Sequence, residues 1–463
     1  MPTPQLDPRD PESRIARLLD DGKFEFLLPR TDCGMVAVSG DIKGNKVIVF
    51  ASDATIKSGA LGVEGSKVIV SAYQVAMEAQ VPIIGIWHSG GARLSDGVAS
   101  LDAFGEVFQS MISASGRIPQ LSLVLGPTAG GGAYGPALTD IVVLSPEGRI
   151  FVTGPDVVKS VTGEDIDMAL LGGPEAHRKN SGLAHIIAPT EQEAIDDVRD
   201  LTALFANHGV MKADVADIDL SVFVPQSKVR TYEVHPLVDA ILDKETEHIE
   251  LLSMWAPNMT TIIGRLGGAT VGVLANNPAH IAGVLDAAAG EKAARFVRTC
   301  DAFGIPLIVI ADVQGFLPGA GQEWEGAVRR GAKLLHAFGE AVVPRVTLIT
   351  RRAYGGAFIA MNSKALGATR VFAWPEAEVS VMGAVAAVRV LHRRILADLP
   401  TEQRESMELE LAAEHEKISG GVTRAVEIGA VDEIIEPSLT RSALAKIIAE
   451  TPHRRGAHGN IPL

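Results

Sequence analysis

Residues 118–133 have the sequence IPQLSLVLGPTAGGGA, and residues 343–358 have the sequence VPRVTLITRRAYGGAF. Both stretches place a proline before a mostly apolar run and end in consecutive glycines. Pro119 and Pro344 are 225 positions apart, as are Gly130 and Gly355. A short apolar run bounded by proline and glycine is typical of a buried strand that turns into a helix. The chain therefore carries one structural unit twice.

A second pair of strands lies upstream of the first pair. Residues 81–87 (VPIIGIW) lead into the loop 88–93 (HSGGAR), and residues 305–310 (IPLIVI) lead into 312–316 (DVQGF). Gly90 and Gly315 of these loops are again 225 positions apart. Coincidence among glycine-rich loops is the alternative, but three landmarks at one offset favour a true repeat.

Helical patterns are expected at residues 66–79 and 290–298, between strands of each half, and at residues 401–417. A third strand is expected near residues 149–152 and 370–373. Strands that alternate with helices predict an α/β fold with a mostly parallel sheet in each half. The polar stretch 225–230 is the expected boundary. We therefore predict an N-terminal domain of residues 1–228 and a C-terminal domain of residues 229–463.

The composition excludes several classes of protein. With 463 residues, of which 47% are hydrophobic and 21% charged, the chain can form large cores and is not intrinsically disordered. A net charge of −14 without a basic tract argues against nucleic-acid binding. Cys33 and Cys300 form no zinc or disulfide pattern, so we expect no metal site and a cytoplasmic location. No signal peptide or membrane span is expected.

The glycine turns are the candidate chemical feature. A strand that ends in glycines and enters a helix presents bare N–H groups at the positive end of that helix, where a negative oxygen binds well. Donors from two loops can converge on one oxygen and form an oxyanion hole. Tight strand–helix packing is the alternative. The paired loops contain Gly90 and Gly91 with Gly130, Gly131 and Gly132, and Gly315 with Gly356 and Ala357.

Other catalytic patterns fit less well. Residues 130–135 match the dinucleotide pattern GxGxxG, but the match is isolated and the second half keeps only the glycines and a small residue. Neither GxxxxGK[ST] nor GxSxG occurs. His88 and Ser89 are adjacent in a strand, so their side chains are expected on opposite faces. A side-chain nucleophile with a base is therefore not expected.

A longer series of motifs carries a resemblance to a known family. In order, the chain contains SGGAR, GPTAGGGAYGPALTD, TGPDVVKSVTGEDIDMALLGG, GEKAARFVRTCDAFGIPL, RRGAKLLHAFGEA, YGGAFIAMNSK and AWPEAEVSVMGA. The series resembles the carboxyltransferase (beta) subunit of biotin-dependent acyl-CoA carboxylases, most closely the acetyl-/propionyl-CoA carboxylase beta chains of fatty-acid synthesis. The resemblance extends from about Asp10 to the end of the chain. It implies two crotonase-like domains, with acyl-CoA on the first and biotin on the second.

The resemblance also implies a reaction. Carboxybiotin on a partner protein gives its carboxyl group to the α-carbon of acetyl-CoA or propionyl-CoA, and the ureido nitrogen of biotin takes the α-proton. The enzyme then has to stabilise two oxyanions, the thioester enolate and the ureido oxygen. The chain lacks an ATP site and a biotinyl-lysine motif. A biotinylated alpha subunit that contains biotin carboxylase and the carboxyl carrier is therefore implied, as is a homo-oligomer, dimer-based and up to a hexamer, with an inter-subunit site.

Site residues follow from the matching motifs. One oxyanion hole is implied at 130–132 and the other at 356–357, with the main donor among 130–132 left open. The loop Gly90, Gly91, Ala92 and Arg93 is the implied CoA-binding segment, and Lys57 and Lys67 are further candidates for the CoA phosphates. Gly315 and Phe316 form the implied biotin-side loop, in which Gln314 stands where the family usually has proline. Ile359 is the implied acyl-selectivity residue, since acetyl-accepting members have isoleucine there and propionyl-specific members aspartate.

Three alternatives remain open. A crotonase-type hydratase or isomerase would carry a glutamate just after the first turn, where this chain has Tyr134 and Gly135. The carboxyltransferase subunit of a biotin-dependent decarboxylase would use the same half-reaction in reverse. A non-catalytic scaffold subunit would have no need of bare N–H groups in both turns.

Overall fold

The computed structural model describes residues 7–227, 230–419 and 421–462. The chain forms two compact units. Unit 1 contains residues 7–208, 249–255 and 457–462, and unit 2 contains residues 209–248 and 256–456. The first division between the units therefore lies after His208, earlier in the chain than position 228. Two short later segments, residues 249–255 and 457–462, belong to unit 1. The assignment of a CoA side and a biotin side stays a prediction.

Unit 1 is built on a mostly parallel sheet. Its strands are β1 (Phe24–Phe26), β2 (Met35–Ile42), β3 (Asn45–Ser52), β4 (Ile83–Ser89), β5 (Gln120–Ala129), β6 (Ile141–Leu144), β7 (Arg149–Phe151) and β8 (Ile186–Ile187). Its helices are α1 (Pro11–Leu18), α2 (Val63–Ala79), α3 (Val98–Ala114), α4 (Gly131–Leu138), α5 (Pro155–Thr162), α6 (Met168–Gly172), α7 (Pro174–Ala176) and α8 (Glu191–Ala206). The strand order is β1-β2-β3-β4-β5-β6-β8, with β7 beside the end of β5.

Unit 2 repeats this arrangement. Its helices are α9 (His235–Ile241), α10 (Ala287–Phe303), α11 (Ala320–Trp324), α12 (Ala327–Glu340), α13 (Gly355–Ala360), α14 (Ala384–Leu391), α15 (Arg393–Ala397), α16 (Thr401–Ser419), α17 (Gly421–Glu427) and α18 (Thr440–Glu450). After a short strand β9 (Ile249–Glu250), its strands are β10 (Met259–Leu266), β11 (Ala269–Asn276), β12 (Leu307–Val313), β13 (Arg345–Tyr354), β14 (Arg370–Ala373), β15 (Glu378–Ser380) and β16 (Glu433–Ile434). Strands β16-β14-β13-β12-β11-β10 are neighbours in that order, and β15 lies beside β13.

The central strands are buried on both faces because helices or loops cover both sides of a parallel sheet. All of β11, β12 and β13 is buried, as are nearly all of β4 and β5. The expected helices near 66–79, 290–298 and 401–417 are confirmed as α2, α10 and α16. The α/β repeat is therefore confirmed. No helix in the described ranges has the length and hydropathy needed to cross a membrane.

One pair of polar contacts shows how closely the units correspond. In unit 1 the Asp20 carboxylate accepts the Gly44 N–H at 2.9 Å and pairs with Arg199 at 2.6 Å. In unit 2 the Asp243 carboxylate accepts the Gly267 N–H at 3.0 Å and pairs with Arg441. Each cluster ties the first helix of the unit to its opening hairpin and its last helix.

The third strand corrects the expected alignment. Residues 149–151 do form a strand, but it lies beside the end of β5, as β15 (378–380) lies beside the end of β13. The counterpart of β14 (370–373) is β6 (141–144), because β6 pairs with the first half of β5 as β14 pairs with the first half of β13. The connection between β13 and β14 is longer than the connection between β5 and β6, so a constant offset between the two halves no longer aligns the strands that follow.

Candidate active site

The first glycine turn joins β5 to α4. Gly130 has φ +59° and ψ −130°, a conformation that glycine adopts without strain. Its N–H donates to the Phe151 carbonyl oxygen at 3.2 Å, and its own carbonyl oxygen accepts the Ala133 N–H at 3.0 Å. Among the described residues, no group accepts the N–H of Gly131 or Gly132. These two groups are therefore available to an exogenous acceptor, as the first N–H groups of a helix generally are.

The second turn joins β13 to α13 and repeats the backbone of the first. Gly355 has φ +57°, close to the value at Gly130. The part of the chain that the structure describes offers no acceptor for the N–H of Gly356 or Ala357. Each unit thus presents two adjacent N–H groups at the carboxyl end of a central strand.

A loop from the neighbouring strand lies beside each turn. In unit 1 the Leu61 N–H donates to the Gly91 carbonyl oxygen at 2.9 Å. In unit 2 the Leu285 N–H donates to the Gly315 carbonyl oxygen at 3.0 Å. The structural counterpart of Gly315 is therefore Gly91, and the expected pairing with Gly90 was wrong by one residue. The Gly90 N–H instead donates to the Ser58 carbonyl oxygen at 2.9 Å.

The loops contribute a further donor that the sequence analysis had not singled out. The residue after each bridging glycine is Ala92 in unit 1 and Phe316 in unit 2, and each pairs with the bridging leucine. Over the described ranges, neither the Ala92 N–H nor the Phe316 N–H has a protein acceptor. A parallel bridge turns every second N–H away from the partner strand, and the type of side chain at these two positions gives no sign of it.

Loop and turn lie close together in both units. A Cβ atom at Gly91 would lie 3.0 Å from the Ala129 carbonyl oxygen, and one at Gly356 would lie 3.9 Å from the Phe316 ring. The unused N–H groups of loop and turn therefore belong to one small region of each unit. Preorganised backbone donors of this kind can bind an oxygen that becomes negative during a reaction.

His88 and Ser89 do not form a catalytic pair. The Ser89 Oγ accepts the Gly91 N–H at 3.2 Å, so this side chain supports the loop. The His88 Nδ1 lies 3.3 Å from the Arg14 guanidinium, which can only donate. Burial, aided by the charge of Arg14, lowers the pKa of His88 to about 4. A neutral imidazole with so low a pKa is a weak base at neutral pH.

The three candidate cations differ in whether other groups of the protein already bind their charged ends. Arg93 donates to the carbonyl oxygens of Cys33 at 2.6 Å and Ala60 at 3.3 Å, so it braces the loop. Lys67 pairs with Glu64 at 2.7 Å. Lys57 is exposed, and no acidic side chain pairs with it in the described part of the chain.

Two side chains flank the second turn. Ile359 lies on α13, two residues after Ala357, and 45% of its surface is exposed. Gln314 is exposed at the end of β12, and Gly315 beside it has φ +142°, which glycine tolerates. The loop thus keeps its glycine geometry although proline is absent.

Comparison with known proteins gives a consistent result. The carboxyl transferase domain family matches residues 11–456. The biotin-dependent acetyl-/propionyl-coenzyme A carboxylase beta6 subunit of Mycobacterium tuberculosis is 58% identical over 461 residues, covering 99% of this chain and 98% of that protein. The propionyl-CoA carboxylase beta chain of Rhodococcus erythropolis is 52% identical over 463 residues, covering 99% and 97%.

A solved structure agrees with the sequence relatives. Transcarboxylase 12S, described as a hexamer with methylmalonyl-coenzyme A and methylmalonic acid bound, matches with a TM-score of 0.90 and 34% identity, over 98% of this chain and 92% of that chain. Two crotonase-like units with paired glycine turns, matched along their length in this way, define a carboxyltransferase. The chain belongs to the carboxyl transferase family, as the carboxyltransferase beta subunit of a biotin-dependent acyl-CoA carboxylase.

Proposed function

We propose that the chain moves a carboxyl group from carboxybiotin to the α-carbon of acetyl-CoA or propionyl-CoA, giving malonyl-CoA or methylmalonyl-CoA. The bond between the ureido nitrogen and the carboxyl carbon breaks, a carbon–carbon bond forms, and the α-proton goes to the ureido nitrogen. The observation that carries the proposal is the repeated set of unused backbone donors, one set in each unit.

Each donor set is assigned to one oxyanion. The Ala92 N–H, with Gly131 and Gly132, would bind the thioester oxygen as the enolate forms. The Phe316 N–H, with Gly356 and Ala357, would bind the ureido oxygen. Gly130 contributes the shape of its turn, because its N–H is already bonded to Phe151. Stabilising developing charge in this way lowers the barrier without requiring a side-chain base.

The complete site is proposed to need a second copy of this chain. In each unit, large apolar side chains are open to solvent in segments that follow the glycine loop or the glycine turn along the chain. Leu94 is 94% exposed and Val98 80% in unit 1, while Trp324 is 86% and Val381 79% exposed in unit 2. Exposed apolar side chains in such number mark an interaction surface. We assign them to contacts between unit 1 of one copy and unit 2 of another, in a dimer-based assembly up to a hexamer.

The cofactor and the second partner follow from the same reaction. Biotin would be carried by a biotinylated alpha subunit with biotin carboxylase and carrier domains, working with this chain in the cytoplasm. The CoA thioester would be held beside unit 1 by the loop Gly90–Arg93, with Lys57 near the phosphates.

The decisive experiment measures both directions of transfer. The purified chain should carboxylate free biotin from malonyl-CoA or methylmalonyl-CoA. ATP-dependent carboxylation of acetyl-CoA and propionyl-CoA should require added biotinylated alpha subunit.

Absence of transfer to biotin, and of carboxylation with the alpha subunit, would contradict the proposal and favour a scaffold subunit. Decarboxylation without a forward reaction would favour the decarboxylase alternative. An active monomer in sedimentation and turnover measurements would contradict the shared site.

A further inference from the structure

A phenyl ring supports the glycine turn in each unit, but the ring comes from a different element. In unit 1 the ring is Phe104 of α3, which is buried. A Cβ atom at Gly131 would lie 3.1 Å from this ring, so the ring is packed directly against the turn. The loop position in the same unit is Ala92, which offers only a methyl group.

The corresponding helix position in unit 2 carries no side chain. Four buried positions of α3 have the same spacing as four buried positions of the α12 region. They are Phe104, Val107, Met111 and Ala114 in unit 1, and Gly331, Leu334, Phe338 and Ala341 in unit 2. The first residues of β5 and β13 donate side-chain hydrogen bonds to the carbonyl oxygens of Met111 and Phe338, which fixes the same alignment of the two helices. Gly331 therefore stands where unit 1 has Phe104.

The missing ring is supplied by the loop. Phe316 is the counterpart of Ala92, since each pairs with the bridging leucine of its unit. A Cβ atom at Gly331 would lie 3.1 Å from the Phe316 ring, and one at Gly356 would lie 3.9 Å from it. The Phe316 ring thus fills the space above Gly331 and reaches the second turn.

The exchange is complementary in size. Unit 1 combines a small loop residue with a large helix residue, and unit 2 combines a large loop residue with glycine in the helix. Glycine inside a helix destabilises the helix relative to alanine, so it calls for a packing reason. At Gly331 the reason is the Phe316 ring, which occupies the space that a side chain there would take.

We propose that Phe104 and Phe316 are positioning residues that hold the N–H groups of the two turns in place. The inference rests on the proposed function of those turns. In unit 2 it goes one step further. Phe316 offers its own N–H to the same hole while its ring supports Gly356, so one residue fixes the loop donor and the turn donors relative to each other. In unit 1 these tasks are divided between Ala92 and Phe104.

The test removes the phenyl ring from the loop at Phe316 and then introduces a phenyl ring on α12 at Gly331. Phe316→Ala should lower kcat for carboxyl transfer by about tenfold or more, with KM for acyl-CoA within twofold, because misplacing preorganised donors weakens transition-state binding. Amide hydrogen exchange in a peptide containing residues 355–360 should become faster. Phe316→Leu should retain most activity, and the double variant Phe316→Ala with Gly331→Phe should recover part of the lost kcat and protection.

Phe303→Ala is the matched control. Phe303 is a buried ring at the end of α10, packed near the Arg455 guanidinium. It should lower thermal stability without faster exchange at 355–360 and without a selective fall in kcat. Unchanged exchange at 355–360 in Phe316→Ala would overturn the positioning role, whether or not the chain transfers carboxyl groups. Faster exchange with unchanged kcat would also overturn it, leaving the carboxyltransferase function of the wild type intact.

Discussion

The two units keep the same backbone at their glycine turns and differ in nearly every side chain around them. Gly130 and Gly355 have φ values of +59° and +57°. By the same offset, Tyr134 of unit 1 corresponds to Ile359 of unit 2, and about half of each side chain is exposed. A repeat that keeps its donors while changing its side chains is expected if the backbone performs the chemistry and the side chains choose the substrate.

The titratable residues near the ends of β4 and β12 also differ between the two units. His88 in unit 1 corresponds to Asp312 in unit 2, because Gly59 and Gly283 approach their carbonyl oxygens in the same way. His88 is neutral beside Arg14, whereas Asp312 pairs with Arg351 at 2.8 Å and with Arg352 at 3.2 Å. The charges at this position are not preserved between units, so they support each unit separately.

The largest expected effect comes from removing one donor. Ala357→Pro deletes an N–H for which the described residues offer no acceptor, in the first turn of α13, where proline is tolerated. It should therefore fold and lower kcat by about 10²–10³, the usual effect of losing one oxyanion donor. Steady-state carboxylation with the alpha subunit measures it.

His88→Ala tests the opposite interpretation. It should change kcat far less than Ala357→Pro, because His88 lies against Arg14 and not at the turn. If His88→Ala abolished turnover while Ala357→Pro did not, a side-chain mechanism would replace the backbone mechanism.

The next effect concerns the acyl group. Ile359→Asp places a carboxylate beside the second turn and removes a branched apolar wall. One methylene contributes about 1–3 kcal/mol to selectivity, or about 10–200-fold. The ratio of kcat/KM for acetyl-CoA to kcat/KM for propionyl-CoA should therefore decrease in Ile359→Asp, by at most that factor. The wild type should accept both thioesters and use butyryl-CoA poorly. An unchanged ratio in an active Ile359→Asp variant would remove Ile359 from selectivity.

The sequence predicted the fold well because the repeated signals are local. Proline before an apolar run and glycine after it mark a strand wherever it lies in the sheet. The errors came where the two halves differ in length. Gly90 was paired with Gly315 in place of Gly91, since two consecutive glycines look alike and only the bridge to Leu61 distinguishes them.

The donor sets could be predicted only in part. The glycine pattern predicts the donors of the two turns. The side chains of Ala92 and Phe316 do not indicate that the backbone N–H groups of these residues are donors. The commitment of Arg93 to the Cys33 carbonyl oxygen joins residues 60 positions apart and cannot be read from either motif. The exchange of rings between loop and helix likewise depends on packing between elements.

A smaller effect compares the space beside the two turns. Gly131→Ala brings a Cβ to 3.1 Å from the Phe104 ring, whereas Gly356→Ala brings one to 3.9 Å from the Phe316 ring. The first contact is crowded and the second is ordinary. Crowding of this kind costs about 1–3 kcal/mol. Gly131→Ala should therefore lower kcat about tenfold and lower the Tm, while Gly356→Ala should stay within about twofold. Equal effects of the two variants would show that ring contact does not set the position of the turns.

The smallest expected effect tests why the two units bind different molecules. Lys57 is exposed in unit 1, and the same left-handed position in unit 2 is Ile281. Only a CoA ligand brings phosphates, so the cation is needed on one side. Lys57→Ile should raise KM for acyl-CoA about fivefold, close to the ~1 kcal/mol expected of an exposed charge pair, with kcat unchanged. Added salt should weaken binding by the wild type more than by the variant.

Lys67→Ile is the control, because Lys67 is already paired with Glu64. Acyl-pantetheine, which lacks the nucleotide phosphates, should give the same KM with wild type and Lys57→Ile. A rise in KM for acyl-pantetheine as large as that for acyl-CoA would mean that Lys57 shapes the loop and does not bind phosphate.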